Sequence, residues 1–168
     1  YHLEQAPAHG LVRALDWELL GIDEGGDAVT LRFAYDTRTQ PLEGWPRDVG
    51  LTFVVRLADD LGMSLETHNR GTEPLTLSQA LHSYFAVSDV RQVSVEGLQG
   101  CRYIDTLQDW QELRQQEALV FDAETDRIYF DTAARLSIVD PGWGRRIHLD
   151  ARGSRSACLL YTSPSPRD

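Results

Sequence analysis

The 168-residue chain has no apolar run long enough to span a bilayer, and no basic, apolar leader precedes its first strand pattern. A membrane-embedded or secreted protein is therefore not expected. Positive charge is also in short supply: 16 Lys and Arg stand against 26 Asp and Glu, for a formal net charge of -10. Such a surface repels nucleic-acid backbones and anionic lipids, so an anionic substrate would need a local cluster of Arg or Lys in its pocket. Cysteine is scarce as well. Cys101 and Cys158 show no metal-ligand spacing, no metal site is expected, and Cys101 suits a reducing cytoplasm. Helical periodicity is nearly missing, "LQDWQELRQQ" at 107–116 being the one plausible helix, and no internal repeat is found.

Period-two alternation dominates what remains. In "AVTLRFAYD", Val29, Leu31, Phe33 and Tyr35 share one face, as in a half-buried strand. "VGLTFVVRLADDLGMSLETHN" reads as an antiparallel hairpin turning near Asp59 and Asp60. Further strand pairs are predicted in "ALVFDAETDRIYF" and "ARLSIVDPGWGRRIHLD", each broken at its centre by turn-forming residues. Many strands at short spacing predict an all-β antiparallel sandwich, a single domain over residues 1–157 and a monomer. The tail "CLLYTSPSPRD", 158–168, resembles the translation of a common transposase-type sequencing adapter and is read as artefactual, outside the fold. Tyr1 is not an initiator methionine, and the chain reads as an interior fragment.

The segment "PLTLSQALHSYFAV" carries a histidine in a small, apolar and aromatic setting. Continued alternation would set Leu75, Leu77, Leu81, Phe85 and Val87 on one face and Thr76, Ser78, Ala80, His82 and Tyr84 on the other. A lone histidine is more often structural than catalytic, but small neighbours leave room for a ligand. His9 precedes Gly10 and reads equally as a turn residue; Arg13 reads as a surface arginine, and Asp126 as a turn aspartate beside Arg127. Trp17, Trp45, Trp110 and Trp143 could stack on a sugar, although scattered tryptophans are more often packing residues. Cys101, His68 and His148 have no partners that suggest a metal or a nucleophile.

Taken in order, "APAHGLVRALDWEL", "ALHSYFAVSDVRQVSVEGLQGCRYIDTL" and "ETDRIYFD" resemble the hexose-6-phosphate mutarotases, a branch of the aldose 1-epimerase family, from about Pro7 to Ser156. The resemblance implies a supersandwich, incomplete at both ends here, that interconverts the α and β anomers of a hexose 6-phosphate with neither metal nor organic cofactor. A base takes the C1 hydroxyl proton while an acid protonates the ring oxygen, and the ring opens. His82 matches the catalytic histidine and is expected to be the general acid, a role suited to an imidazole, which titrates near neutrality. His9, Arg13 and Asp126 match substrate-binding positions: His9 near the reacting carbon, Arg13 as a cation for phosphate or hydroxyls, and Asp126 as acceptor for two ring hydroxyls. Ala8 stands where some relatives have a glutamine. Asp105 lies in the matched stretch without an assigned role. The family's base is a glutamate beyond a Trp-Asn-Pro strand; no residue of this chain matches it, and Glu124 sits in the wrong motif. The chain by itself is expected to be inactive. A sugar-binding sandwich without turnover and a mutarotase of unphosphorylated aldoses are the competing readings.

Overall fold

Alternation builds the first sheet. The computed structural model describes residues 10–154 and 156–161. The strands β1 (Glu18–Gly25), β2 (Ala28–Asp36), β3 (Val49–Leu57) and β4 (Leu61–Asn69) form a four-stranded antiparallel meander in that order. Leu31, Val55 and Met63 stand in one cross-strand row and Phe33, Phe53 and Leu65 in another, so the apolar half of each strand lies on one face. The Phe33 and Phe53 rings stack at 6.4 Å. An irregularity between Leu19 and Gly21 sets Leu19 opposite Phe33 and Ile22 opposite Leu31. The extra residue of this bulge keeps both side chains on the apolar face although they are not an even number of positions apart. The turn between β3 and β4 falls at Asp59 and Asp60 as predicted, with Ala58 N–H donating to Asp60 O at 2.9 Å and Arg56 pairing with the Asp60 carboxylate at 3.2 Å.

The described chain separates into two compact units, one ending at His82 and the other beginning at Ser83. The second unit holds β5 (Ser94–Glu96), β6 (Arg102–Asp105), β7 (Gln111–Arg114), β8 (Leu119–Val120), β9 (Thr125–Phe130), β10 (Arg135–Asp140), β11 (Arg145–Asp150) and β12 (Ser156–Tyr161). They form two four-stranded sheets, β11-β10-β5-β8 and β12-β9-β6-β7. Val95 and Leu119 of one sheet share a buried cluster with Tyr103 and Tyr129 of the other, joined by Val93, Leu98 and Phe121. Burying this set supplies most of the drive to fold the unit. The predicted all-β, antiparallel class is therefore the observed one, and no helix among the described residues is long and apolar enough to cross a membrane.

Three expectations need amending. The predicted helix at 107–116 is a turn followed by β7: Gln111 N–H donates to Gln108 O at 3.0 Å, and Asp109 and Trp110 both take positive φ, at 50° and 59°. Two consecutive left-handed residues cannot continue a right-handed helix; they make a tight hairpin turn instead. "ALVFDAETDRIYF" is not a hairpin either, because β8 pairs with β5 and β9 with β6 and β12. Residues 70–89, which include the segment around His82, form no strand; without a neighbouring ladder, alternation there sorts no faces. Residues 156–161 form β12, in which Cys158, Leu159, Leu160 and Tyr161 pair with Ile128, Arg127, Asp126 and Thr125. The run "ACLLY" alternates well enough to add a strand, with Ala157, Leu159 and Tyr161 half-buried.

Acid sensitivity concentrates in the second unit. Asp89 caps the 3-10 turn Val90–Gln92, accepting from Arg91 N and Arg91 Nε, both at 3.1 Å. Hydrogen bonds from Arg91 hold its carboxyl down at about 2, below the ordinary 3.8. Burial works to raise Asp140, but hydrogen bonds from the Ser88 hydroxyl and amide, Trp143 N–H and Arg145 outweigh it and hold that carboxyl low; Arg135 does the same for Asp150. A carboxyl whose folded pKa is depressed stabilises the fold above its unfolded value and loses that contribution as pH falls. The melting temperature should therefore be flat above pH 3.8 for these groups and drop as the pH is lowered from there toward 2. Circular dichroism melts across that range, which show a flat profile if the capping and clamp bonds are not formed, provide the check.

Candidate functional site

The residues singled out from the sequence fall in different places. His9 lies outside the described residues, though Gly10 takes φ 87°, as a turn glycine would. Arg13 is exposed in the turn ahead of β1. That turn is pinned by Trp17, whose Nε1–H donates to Val12 O at 3.2 Å while its ring lies 5.8 Å from that of Tyr35. Trp17 is thus a packing residue.

His82 is exposed on the irregular segment, with Leu77, Leu81, Tyr84 and Phe85 exposed around it. The segment is fixed at points on either side. In the first unit, the Gln79 side chain accepts from Thr67 Oγ1 at 2.7 Å and its Nε2 donates to Leu65 O at 3.4 Å, tying the chain to β4. In the second, Ser88 N–H donates to the fully buried Asp140 at 3.1 Å, the Ser88 hydroxyl also bonds that carboxylate, and the Arg145 guanidinium donates to Ala86 O. The chain is thus hydrogen-bonded within the first unit at Gln79 and within the second unit at Ala86 and Ser88.

Asp126 is half-buried on β9, the second strand of its sheet, between β6 and β12. Its carbonyl accepts twice from one residue, from Thr106 N at 3.0 Å and from Thr106 Oγ1 at 3.2 Å. The next residue, Arg127, turns to the opposite face, where its Nε donates to Asp105 at 3.2 Å and its guanidinium lies 4.8 Å above the Tyr103 ring. Asp105 is only 4% exposed and is satisfied further by Leu107 N–H and Gln108 Nε2, each at 3.1 Å. Burial works to lower the Arg127 guanidinium, but Tyr129, Tyr103 and Asp105 outweigh it and raise it. The charge beside Asp126 is thus permanently paired inward, leaving the carboxylate of Asp126 to face the other way. On that side, burial and the Asp126 charge together push up the Cys158 thiol.

Sequence reasoning missed Asp105 and Asp140 as anchors. Each is a buried carboxylate that also takes a partner distant in sequence, Arg127 for Asp105 and Ser88 for Asp140, and that remote partner is not marked by local spacing. His148 is engaged with Ser137, Nδ1 to Oγ at 3.0 Å. No three His, Cys, Asp or Glu side chains gather as a metal-ligand group among the described residues.

The family model described as "Aldose 1-epimerase" matches residues 2–167. This chain belongs to the aldose 1-epimerase family. Three curated relatives carry the name "Putative glucose-6-phosphate 1-epimerase". The Escherichia coli K12 protein is 35% identical over 126 residues, which cover 74% of this chain and 41% of that protein. The Salmonella typhimurium protein is 32% identical over 142 residues, covering 84% and 47%, and that of Cenchrus ciliaris is 32% identical over 106 residues, covering 60% and 32%. This aldose 1-epimerase chain therefore spans less than half the length of the curated relatives it matches. Among solved structures, the crystal structure titled "a putative mutarotase (YeaD)" from Salmonella typhimurium aligns with a TM-score of 0.83 at 29% identity, covering 94% of this chain and 52% of that one. The strand arrangement is thus that of a mutarotase fold.

Proposed function

We propose that the protein to which this chain belongs interconverts the α and β anomers of a hexose 6-phosphate, most directly glucose 6-phosphate. The observation that carries this reading is the family match over residues 2–167, together with the name shared by relatives at 32–35% identity. Each residue taken by itself is compatible with it: His82 is an exposed imidazole on irregular chain, and Asp126 is a half-buried carboxylate on a strand with partners on both edges. In this reading His82 protonates the ring oxygen as the C1 hydroxyl loses its proton, the pyranose opens, rotation about C1–C2 follows, and reclosure returns the proton to the imidazole. Asp126 accepts hydrogen bonds from ring hydroxyls, while His9 and Arg13 act at the reacting carbon and on hydroxyls or phosphate. The base is a glutamate that this chain does not itself match, so the chain alone is proposed to leave anomer exchange at the buffer rate. The protein acts as a cytoplasmic monomer on a small sugar phosphate, with neither metal nor organic cofactor.

The name of the matching family also favours a second substrate class, unphosphorylated aldoses. Exchange spectroscopy on glucose and glucose 6-phosphate with the complete enzyme separates the two. Arginine contacts to phosphate should give glucose 6-phosphate an advantage of about tenfold or more in kcat/KM at low salt. Added salt should shrink that advantage, because exposed charges are screened. A preference for glucose would move the protein to the unphosphorylated class, and binding without accelerated exchange would make it a sugar-binding sandwich.

A further inference from the structure

We propose that Asp105 and Thr106 are positioning residues for the carboxylate of Asp126, an assignment that rests on the sugar-site reading of Asp126 above. Asp126 and Arg127 are successive residues of β9, so their side chains leave opposite faces of one sheet. Whatever fixes the inward residue and the backbone between them fixes the outward one. Both are fixed by the β6 end and the turn after it. Thr106 places two donors on the Asp126 carbonyl, at 3.0 and 3.2 Å. Asp105, 4% exposed, holds Arg127 at 3.2 Å while taking Leu107 N–H and Gln108 Nε2 at 3.1 Å. The same carboxylate therefore shapes the turn and grips the neighbouring strand. Tyr103 and Tyr129 complete the grip: Tyr103 lies under the guanidinium, and Tyr129 packs on Tyr103 with ring centroids 5.0 Å apart.

This is more than an ordinary β ladder provides. A two-strand pairing gives one acceptor one donor, and strand edges breathe; here the carbonyl of the sugar-binding residue itself is held twice, and its half-buried successor is held by the buried carboxylate of Asp105. A shift of about 1 Å in a substrate-positioning group can cost as much as about a hundredfold in rate, so a device that pins one residue of a strand has a functional consequence. The third edge contact, the backbone pairing of Asp126 with Leu160, completes the frame.

The test uses the chain as it stands, with glucose 6-phosphate as probe and binding read from the sugar's phosphorus resonance. Asp126→Ala should weaken binding about tenfold, as expected for loss of a charged hydrogen-bond acceptor. Thr106→Val, which keeps the N–H donor and removes only the hydroxyl, should weaken it about fivefold, and Thr106→Ser should restore it. Asp105→Asn, which uncouples Arg127 while keeping the side chain's shape, should match or exceed the valine variant. In an Asp126→Ala background, Thr106→Val and Asp105→Asn should change binding by less than about twofold, because the group they position is gone. If either keeps its full effect without Asp126, its role is structural and the positioning assignment is wrong. If Asp126→Ala binds like the parent, the sugar-site reading of Asp126 falls and takes the assignment with it. The isosteric Thr106→Val, which removes no buried charge, decides the matter should Asp105→Asn fail to fold.

Discussion

In the complete enzyme, His82→Ala is expected to slow anomer exchange of glucose 6-phosphate by about 10²- to 10⁴-fold, the range for loss of a general acid. Affinity for the sugar should move little if, as proposed, the imidazole acts on a proton in transit while other groups hold the hydroxyls. Stability should move little too. His82 is exposed and belongs to no ladder, and the anchors of its segment, Gln79 on one side and Ser88 on the other, are untouched. Surface substitutions of this kind stay within about 0.5 kcal/mol. The pattern to look for is a collapse of kcat at unchanged KM and unchanged melting temperature. Exchange that persists near the parent rate in a folded variant would remove His82 from the chemistry and turn attention to His9.

Tyr129→Ala should be the most damaging single change to the second unit. Its side chain is 0% exposed, packs on Tyr103 at 5.0 Å and donates its hydroxyl to Gln115 Oε1 at 2.7 Å. Burial pushes the phenol up, so it stays a neutral donor across the accessible pH range. Truncating a buried aromatic leaves a cavity and costs about 3–5 kcal/mol, a large part of the roughly 5–15 kcal/mol that holds a domain together. Tyr129→Phe keeps the packing and loses one hydrogen bond, so it should cost only about 1 kcal/mol, plus whatever the stranded Gln115 fails to recover from water. Urea titration of both variants reads the difference; equal midpoints would mean that the ring does not fill the core.

What could be read from the sequence was local. β2, the β3–β4 hairpin with its turn at Asp59 and Asp60, and the β10–β11 hairpin are each contained in one continuous stretch whose alternation and turn chemistry agree. What could not be read required a partner from elsewhere. β8 and β9 are sequence neighbours that belong to different sheets, and the choice between them is made by Leu119 meeting Val95 and Tyr129 meeting Tyr103, contacts no window of sequence contains. The alternation through Leu75–Val87 has no ladder to act on, so the two faces it would have sorted in a strand do not form. For the candidate site, Asp126 could be proposed from its motif. Asp105 could not, because its meaning lies in the register that sets it opposite Arg127.

The edges of β9 also bear on the order in which the molecule can be made. Consecutive hairpins complete the first sheet as soon as Asn69 has been synthesised, with each strand meeting the one just before it. β9 has one neighbour, β6, already behind it and the other, β12, still to come. Pairings between distant segments close slowly. The strand that carries Asp126 therefore waits, one edge open, until residues 156–161 emerge, and it is among the last parts of the described chain to become complete.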